Sequence, residues 1–235
     1  MSHMYHLLSH RLLIPALLVL LAGCAAPTRI PLTGLIPGRE VETLQSPVSL
    51  SIKTATRSIG GRGYLIFKRP DRFHVAVLSP FGPTMADIYS DGTQFTCVIP
   101  GRQIAYTGLM SELPDRDGLR AWSLMRWVVE PTPAAGPALT RENVNVSGVR
   151  ERLFYDEQGL LERKETEAGD RVAYRDYRNV DGIALAGSIE LGNLKGDTVR
   201  IVLDEPEVNQ PVEDGALQPN LEGIKVLPFS SFKGF

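Results

Sequence analysis

Turn dipeptides divide most of the chain into segments that are too short to contain the helices that parallel strands require. Asp91-Gly92, Pro100-Gly101 and Asp181-Gly182 are three of these breaks, and runs rich in β-forming residues lie between them. Dipeptides of this kind are typical of tight hairpin turns. A crossover between parallel strands needs a dozen residues or more, usually a helix. The sequence therefore predicts a mainly β fold whose neighbouring strands are antiparallel.

The predicted strands share a period of two residues. Val48–Ala55 alternates apolar and polar side chains, as expected when one face of a strand is buried. The glycines of Gly60–Gly63 enter a strand and are followed by no Lys-Ser/Thr pair, so we interpret them as a bulge or tight bend rather than a phosphate loop. The twelve predicted strands are Val48–Ala55, Gly61–Arg69, Arg72–Ser79, Thr84–Ser90, Gln94–Ile99, Gln103–Thr107, Val144–Val149, Arg152–Asp156, Leu160–Thr166, Arg171–Asn179, Ala186–Leu191 and Thr198–Asp204.

One segment, Asp117–Glu130, has the spacing of a helix instead. Leu119, Trp122 and Met125 recur at intervals of three residues, and Pro131 ends the segment. Apolar residues on its other side predict a helix that is covered on more than one face. A strongly curved antiparallel sheet must bury its concave face, and this helix is the natural cover. Incomplete cover would leave an apolar cavity.

Composition excludes several classes of function. The 25 basic residues are balanced by 27 acidic ones, so broad binding to nucleic acid is not expected. Three of the four histidines lie within the first ten residues, which excludes a multi-histidine metal site and argues against a Ser-His-Asp hydrolase. His74, in a strand, is interpreted as a satisfied or surface residue. Two cysteines cannot form a disulfide framework. We predict neither an enzyme nor a bound cofactor or metal.

The N-terminus has the features of a secretory signal peptide. Arg11 precedes the apolar run Leu12–Leu21, which is about half the length that spans a bilayer. The run ends in Leu21-Ala22-Gly23-Cys24, which resembles the lipobox of bacterial lipoproteins. The resemblance implies removal of residues 1–23 and lipidation of Cys24. Because Ala25 rather than Asp follows, it also implies the outer membrane, with the domain in the periplasm. The proline-containing residues 24–46 would then form a flexible tether.

Two further motifs resemble the LolB family of lipoprotein receptors. The segment Val75–Ile88 is similar to the family's strand, Pro-Leu-Gly loop and second strand, with Pro80-Phe81-Gly82 at the loop. Leu119–Leu124 resembles the family's Leu-Arg-x-Trp-x-Leu helix. The resemblance covers residues 47–209 and leaves residues 210–235 as a C-terminal extension.

This resemblance implies a fold and a function. The family fold is an incomplete, half-open antiparallel β-barrel with a helical lid over a hydrophobic cavity. The protein would take the acyl chains of lipoproteins from a LolA-like periplasmic carrier and insert them into the outer membrane. It would act as a monomer that is held to the membrane by its own lipid. The implied membrane-insertion loop is Pro80, Phe81 and Gly82, and the implied cavity and lid residues are Leu119, Trp122, Met125 and Trp127.

The residues themselves leave alternatives open. Phe81 could fill one end of the barrel instead of contacting a membrane, and the two tryptophans could be ordinary core. The same fold could serve an envelope structural or assembly lipoprotein that binds a protein partner; a cavity filled by its own side chains would favour that function. A lipid hydrolase is the third hypothesis, and the scarcity of histidine argues against it.

Overall fold

A computed structural model describes residues 32–79, 81–114, 118–129, 134–136, 139–145 and 148–232. They belong to one compact unit, Leu32–Phe235, whose buried apolar residues form a continuous core. We therefore expect this unit to fold without the residues that precede it. Cys24, the predicted signal peptide and Pro80 lie outside the described residues.

The described residues form one large sheet and little helix. A four-residue helix, α1 (Leu119–Trp122), is followed by a 3-10 turn at Met125–Val128. The strands are β1 (Thr43–Lys53), β2 (Ser58–Lys68), β3 (Arg72–Leu78), β4 (Thr84–Asp91), β5 (Gln94–Ile99), β6 (Ile104–Leu109), β7 (Thr140–Val144), β8 (Arg150–Tyr155), β9 (Leu161–Thr166), β10 (Arg171–Val180), β11 (Ile183–Gly192), β12 (Thr198–Leu203), β13 (Glu207–Val208) and β14 (Lys225–Pro228).

Most neighbouring strands in the sheet are also neighbours in sequence. The order is β14-β6-β5-β4-β3-β2-β1-β12-β11-β10-β9-β8-β7, with β13 paired to β1. Short turns join most of these pairs, and short turns can connect only antiparallel strands. The predicted mainly β fold is confirmed. The expectation of a purely antiparallel half-barrel needs correction, because β14 runs parallel to β6 and the sheet is mixed and not closed into a barrel.

One predicted strand, Val144–Val149, is wrong. The observed strand β7 ends at Val144, and the described residues that follow it before β8, namely Asn145, Gly148 and Val149, lie outside any strand. The Asn145 N–H donates to the Val149 carbonyl oxygen (3.0 Å), and the Gly148 N–H donates to the Asn145 carbonyl oxygen (2.9 Å). Gly148 has a φ of +77°, which other residues rarely adopt. Asparagine and glycine thus outweigh the β propensity of the valines.

The predicted helix over Asp117–Glu130 is also corrected, and a helical lid is not confirmed. The described part contains only α1 and the 3-10 turn. Gly118 precedes α1 with a φ of +74°, and the Ser123 hydroxyl donates to the Arg120 carbonyl oxygen after α1 (2.7 Å). Such a side-chain bond competes with a continuing helix. Large apolar residues also occur on every side of the segment, so a short, broken path buries more of them than a straight helix would.

The C-terminal residues take part in the sheet. β14 adds a parallel strand to β6, and Phe229 and Phe232 pack beside Tyr106 in the core. An uncovered β6 would expose unpaired backbone groups at the sheet edge. The extension therefore covers an edge that the rest of the sheet leaves open.

Candidate functional site

An apolar cavity of about 610 Å³ lies on the core face of β1–β5. Seven of the residues that line it are large or branched apolar residues or alanine, namely Ile52, Ile59, Val77, Met85, Ala86, Ile88 and Ile99. Its volume lies within the range of roughly 300–1,000 Å³ that is typical of ligand-binding cavities. An apolar lining without a cluster of catalytic groups is suited to holding a hydrocarbon.

Strand register explains why these distant residues share one cavity. Ile52 of β1 faces Ile59 of β2, and Val77 of β3 faces Ala86 of β4. Directly paired residues point to the same side of a sheet, and every second residue along a strand does so too. The alternation recognised in the sequence therefore places apolar side chains from five strands on one surface.

Exposed residues among those that line the cavity connect it with solvent. Met85 lines it, yet 47% of the Met85 surface is exposed. Arg102, in the turn between β5 and β6, also lines it and is exposed. The cavity consequently reaches the molecular surface near the turns that follow β3 and β5.

The turn between β3 and β4 is anchored beside this opening. The Ser79 N–H donates to the Pro83 carbonyl oxygen (2.8 Å), and the Gly82 N–H donates to the Ser79 carbonyl oxygen (3.0 Å). Gly82 has a φ of +101°, which is unfavourable for residues with a Cβ. Val77 and Thr84, on either side of this turn, both line the cavity. Sequence and register thus place the predicted insertion loop at the edge of the cavity.

Phe81 is the most exposed large apolar residue described, with 94% of its surface accessible. The alternative in which Phe81 fills the core is therefore not what the structure shows. Of its loop neighbours, Gly82 is exposed and Pro80 lies outside the described residues. Exposure on an ordered turn makes Phe81 available to a membrane, and its role there stays a prediction.

The four predicted cavity and lid residues are almost completely buried. Leu119, Trp122, Met125 and Trp127 belong to the packed core, and none of them lines the 610 Å³ cavity. This placement agrees with the interpretation of the tryptophans as core. The segment that contains these residues nevertheless contacts the cavity wall. A Cβ at Gly118 would lie 3.0 Å from Ile52 Cγ2, so the start of α1 adjoins one wall of the cavity.

Trp127 lies instead beside a smaller cavity of about 280 Å³. The Tyr174 hydroxyl donates to the Trp127 carbonyl oxygen (2.7 Å), and Arg39 and Glu40 contribute polar groups to the lining. This second cavity is smaller and more polar than the first. It is therefore the poorer match for an acyl chain.

The remaining candidates for chemistry have structural partners. His74 contacts Asp87 Oδ1 through Nε2 (2.9 Å) and the Ala216 carbonyl oxygen through Nδ1 (3.1 Å), and its ring stacks on Tyr89. These contacts fit its interpretation as a satisfied residue. Among the described residues, no three His, Cys, Asp or Glu side chains are grouped as metal ligands. In the same part of the chain, no helix is long and apolar enough to cross a membrane.

The thiol of Cys97 is expected to be unreactive while the protein is folded. Cys97 is fully buried on β5, and this burial, with a smaller contribution from the charge of Asp87, raises the pKa of its thiol to about 12. Thiolate is the reactive form. In residues 32–235, where Cys97 is the only cysteine, we expect iodoacetamide to leave the native protein unmodified at pH 8 and to alkylate it fully in guanidinium chloride. Mass spectrometry would check this, and rapid alkylation of the native protein would contradict the burial of β5.

Sequence comparison associates the chain with a described family. The family model that matches residues 43–205 is described as "Outer membrane lipoprotein LolB". No curated protein sequence matches the chain. The matched residues include the whole of β1–β12 and therefore every strand that lines the 610 Å³ cavity.

A solved structure shows a similar fold. A LolA superfamily protein from Nitrosomonas europaea aligns with a TM-score of 0.50 and 12% identity over 79% of this chain and 92% of its own. An outer membrane lipoprotein-sorting protein domain from Vibrio parahaemolyticus aligns with a TM-score of 0.46 and 11% identity over 75% of this chain and 89% of its own. At such low identity, the first similarity is evidence for the fold alone.

Proposed function

Because the chain belongs to the LolB family, we propose that it binds the acyl chains of lipoproteins in the 610 Å³ cavity and inserts them into the outer membrane. One observation carries the proposal: an apolar cavity reaches solvent directly beside an ordered turn that exposes Phe81. The match to the family described as an outer membrane lipoprotein supports lipoprotein as the client. A LolA-like periplasmic carrier is the proposed donor.

The energetics of acyl chains give the transfer its direction. Each methylene that leaves an apolar environment for water costs about 0.8 kcal/mol, so an acyl chain of about 15 methylenes costs roughly 12 kcal/mol. A cavity that covers much of the chain lowers this cost without a nucleotide or a chemical step. A cavity that stays open covers the chain less completely than a bilayer does. The chain therefore has a lower free energy in the membrane, and the receptor can release it there.

The proposed roles of the individual residues follow the same geometry. Phe81 would enter the bilayer and bring the cavity edge to the lipid surface, while Pro80 and Pro83, whose rings fix their own φ, would stiffen the turn. Cys24 would carry the lipid that retains the protein at the outer membrane. Catalysis has no part in this mechanism. The alternative of an envelope assembly protein was tied to a cavity filled by its own side chains, and the observed cavity does not favour it.

Replacing Phe81 with glutamate should separate binding from insertion. We expect residues 32–235 with Phe81→Glu to bind a fluorescent fatty-acid analogue as the parent does, since Phe81 does not line the cavity. Transfer of a bound acylated peptide to liposomes should slow about tenfold or more, because a buried phenylalanine contributes roughly 1.5–3 kcal/mol and glutamate contributes none. Ligand fluorescence measures binding, and dequenching in the liposomes measures transfer.

Leu139→Glu is the matched control, because Leu139 is also exposed but precedes β7 at the other end of the sheet. It should leave both binding and transfer unchanged. Absence of saturable binding by the folded parent protein would refute the carrier function. Unchanged transfer by Phe81→Glu would refute the role of the loop.

A further inference from the structure

A second exposed apolar residue, Leu194, lies at the same end of the sheet as Phe81. Thr198, which begins β12, pairs with Lys53 at the end of β1, and Lys53 also pairs with Ser58 at the start of β2. The end of β3 lies beside this part of β2, since Leu78 pairs with Arg62. The turns β1–β2, β3–β4 and β11–β12 therefore project from one end of the sheet.

The turn that carries Leu194 has the same hydrogen-bond pattern as the Phe81 turn. The Asn193 N–H donates to the Asp197 carbonyl oxygen (3.1 Å), and the Gly196 N–H donates to the Asn193 carbonyl oxygen (3.1 Å). The Asn193 side chain also accepts from the Asp197 N–H (2.9 Å), and both residues are buried. Leu194 thus lies on an ordered turn, although 79% of its surface is exposed.

The neighbouring turn supports the side chain of Leu194 in this exposed position. A Cβ on Gly169, between β9 and β10, would lie 2.7 Å from Leu194 Cδ1 and 3.0 Å from Leu194 Cβ. Only the absence of a side chain at position 169 leaves room for this contact. Leu194 is therefore held against one neighbour while most of its surface faces solvent.

Exposed basic residues occur in three of the turns at this end of the sheet. Arg57, Arg102 and Lys195 are exposed in the turns β1–β2, β5–β6 and β11–β12. Asp197, the acidic residue of the β11–β12 turn, is buried beside Asn193. The β9–β10 turn beside Leu194 carries Glu167 and Asp170, whose carboxylates form ion pairs with Arg150 (3.6 Å) and Arg120 (3.5 Å). The exposed basic residues contrast with the net charge of -2 for the chain. Basic residues near exposed apolar side chains such as Phe81 and Leu194 complement anionic lipid headgroups.

We propose that Leu194 is a second membrane-contacting residue and that, with Phe81, it seats this end of the sheet on an anionic bilayer at two points. The inference rests on the proposed function and adds a contact outside the insertion loop. The two hairpins are separated by four strand spacings, or about 19 Å along the sheet at roughly 4.8 Å per strand. Two contacts this far apart would fix the orientation of the cavity edge relative to the bilayer, which one contact cannot do.

A bilayer suits these features better than a protein partner does. A stable protein interface buries about 800 Å² on each side and needs a continuous complementary surface. Single apolar side chains on separate turns can each enter the lipid interface independently, and neighbouring basic groups strengthen such binding. The spacing and the charge therefore favour a lipid surface.

The test compares Leu194→Glu with Leu139→Glu in residues 32–235. The probe is vesicles of phosphatidylethanolamine and phosphatidylglycerol, and cosedimentation measures the partition coefficient. We expect Leu194→Glu to lower it about tenfold, Leu139→Glu to leave it unchanged, and removal of phosphatidylglycerol to weaken binding by the parent protein. Circular dichroism would confirm that both variants fold.

Acyl-chain binding, measured in parallel, distinguishes this inference from the proposed function. Retained acyl binding with lost vesicle binding in Leu194→Glu supports a second membrane contact. Equal vesicle binding by Leu194→Glu and the parent overturns it, even if the parent binds acyl chains. If the folded parent protein itself binds no acyl chain, the proposed function is refuted instead.

Discussion

Gly63→Ala is expected to destabilise the protein by about 2–3 kcal/mol, because β2 and β3 approach too closely at this position to admit a methyl group. A Cβ on Gly63 would lie 2.2 Å from the carbonyl oxygen of Ala76 and 3.1 Å from Leu50 Cδ1. The first of these contacts is with backbone, which cannot rotate away as a side chain can. The strands must separate locally, next to the wall of the cavity. For a unit of this size we expect the melting temperature to fall by about 4–12 °C.

Gly60→Ala provides a matched control three residues earlier on the same strand. Gly60 is exposed, and a Cβ there would meet the Leu50 carbonyl oxygen at 3.6 Å, an ordinary van der Waals distance. Since this substitution removes conformational freedom from the unfolded chain without a clash, it should stabilise the protein by about 0.4–1 kcal/mol. Thermal and urea denaturation of both variants would measure the difference. If Gly63→Ala were no more destabilising than Gly60→Ala, the close approach of β2 and β3 would be absent in solution.

Val77→Trp is expected to raise the dissociation constant for an acyl chain at least about tenfold, because it places an indole in the cavity. Val77 is partly buried on β3 and lies beside its paired residue Ala86 of β4 in the cavity wall. The larger ring occupies space that the ligand needs, and each methylene displaced to water costs about 0.8 kcal/mol. Two excluded methylenes are therefore sufficient for a tenfold loss. Titration with a fluorescent fatty-acid analogue would measure the change.

The control makes the same substitution outside the cavity. Val226, on the edge strand β14, is exposed and does not line the 610 Å³ cavity. Val226→Trp should therefore bind the analogue as the parent does. A folded Val77→Trp protein with unchanged affinity would place the acyl site elsewhere, and the smaller cavity beside Trp127 would be the next to test.

Much of the sheet could be predicted from local sequence signals. Gln94–Ile99 was predicted with the bounds of β5, and Arg72–Ser79 differs from β3 by one residue. Both runs combine strong alternation of apolar and polar residues with turn residues at their ends, so the two kinds of sequence signal predict the same strand. The strand predicted at Val144–Val149 failed because Asn145 and Gly148 form a turn within a run that has high β propensity. The helix over Asp117–Glu130 failed because periodicity alone does not indicate how many sides of a segment the core must cover.

Only the loop of the candidate site could be predicted from the sequence. Motif similarity identified Phe81, since the loop is contiguous in sequence, and the structure places it on an exposed turn. The same similarity pointed to Trp122 and Trp127 for the cavity, whereas Val77, Ala86 and Ile99 line it. Cavity walls depend on which strands lie side by side, and no single segment contains that information. The sequence also does not identify Leu194. A single leucine in a turn does not indicate a membrane contact until the structure shows at which end of the sheet that turn lies.

The sequence by itself determined the mainly β architecture, the positions of most turns and the resemblance to the LolB family, because each of these depends on residues that are close along the chain. Tertiary structure alone decided that the sheet stays open, that β14 covers its edge, and that the segment around Trp122 packs into the core. It also decided that Phe81 and Leu194 project from the same end. These features depend on contacts between residues far apart in sequence, and such contacts form only when they bury more apolar surface than the alternatives.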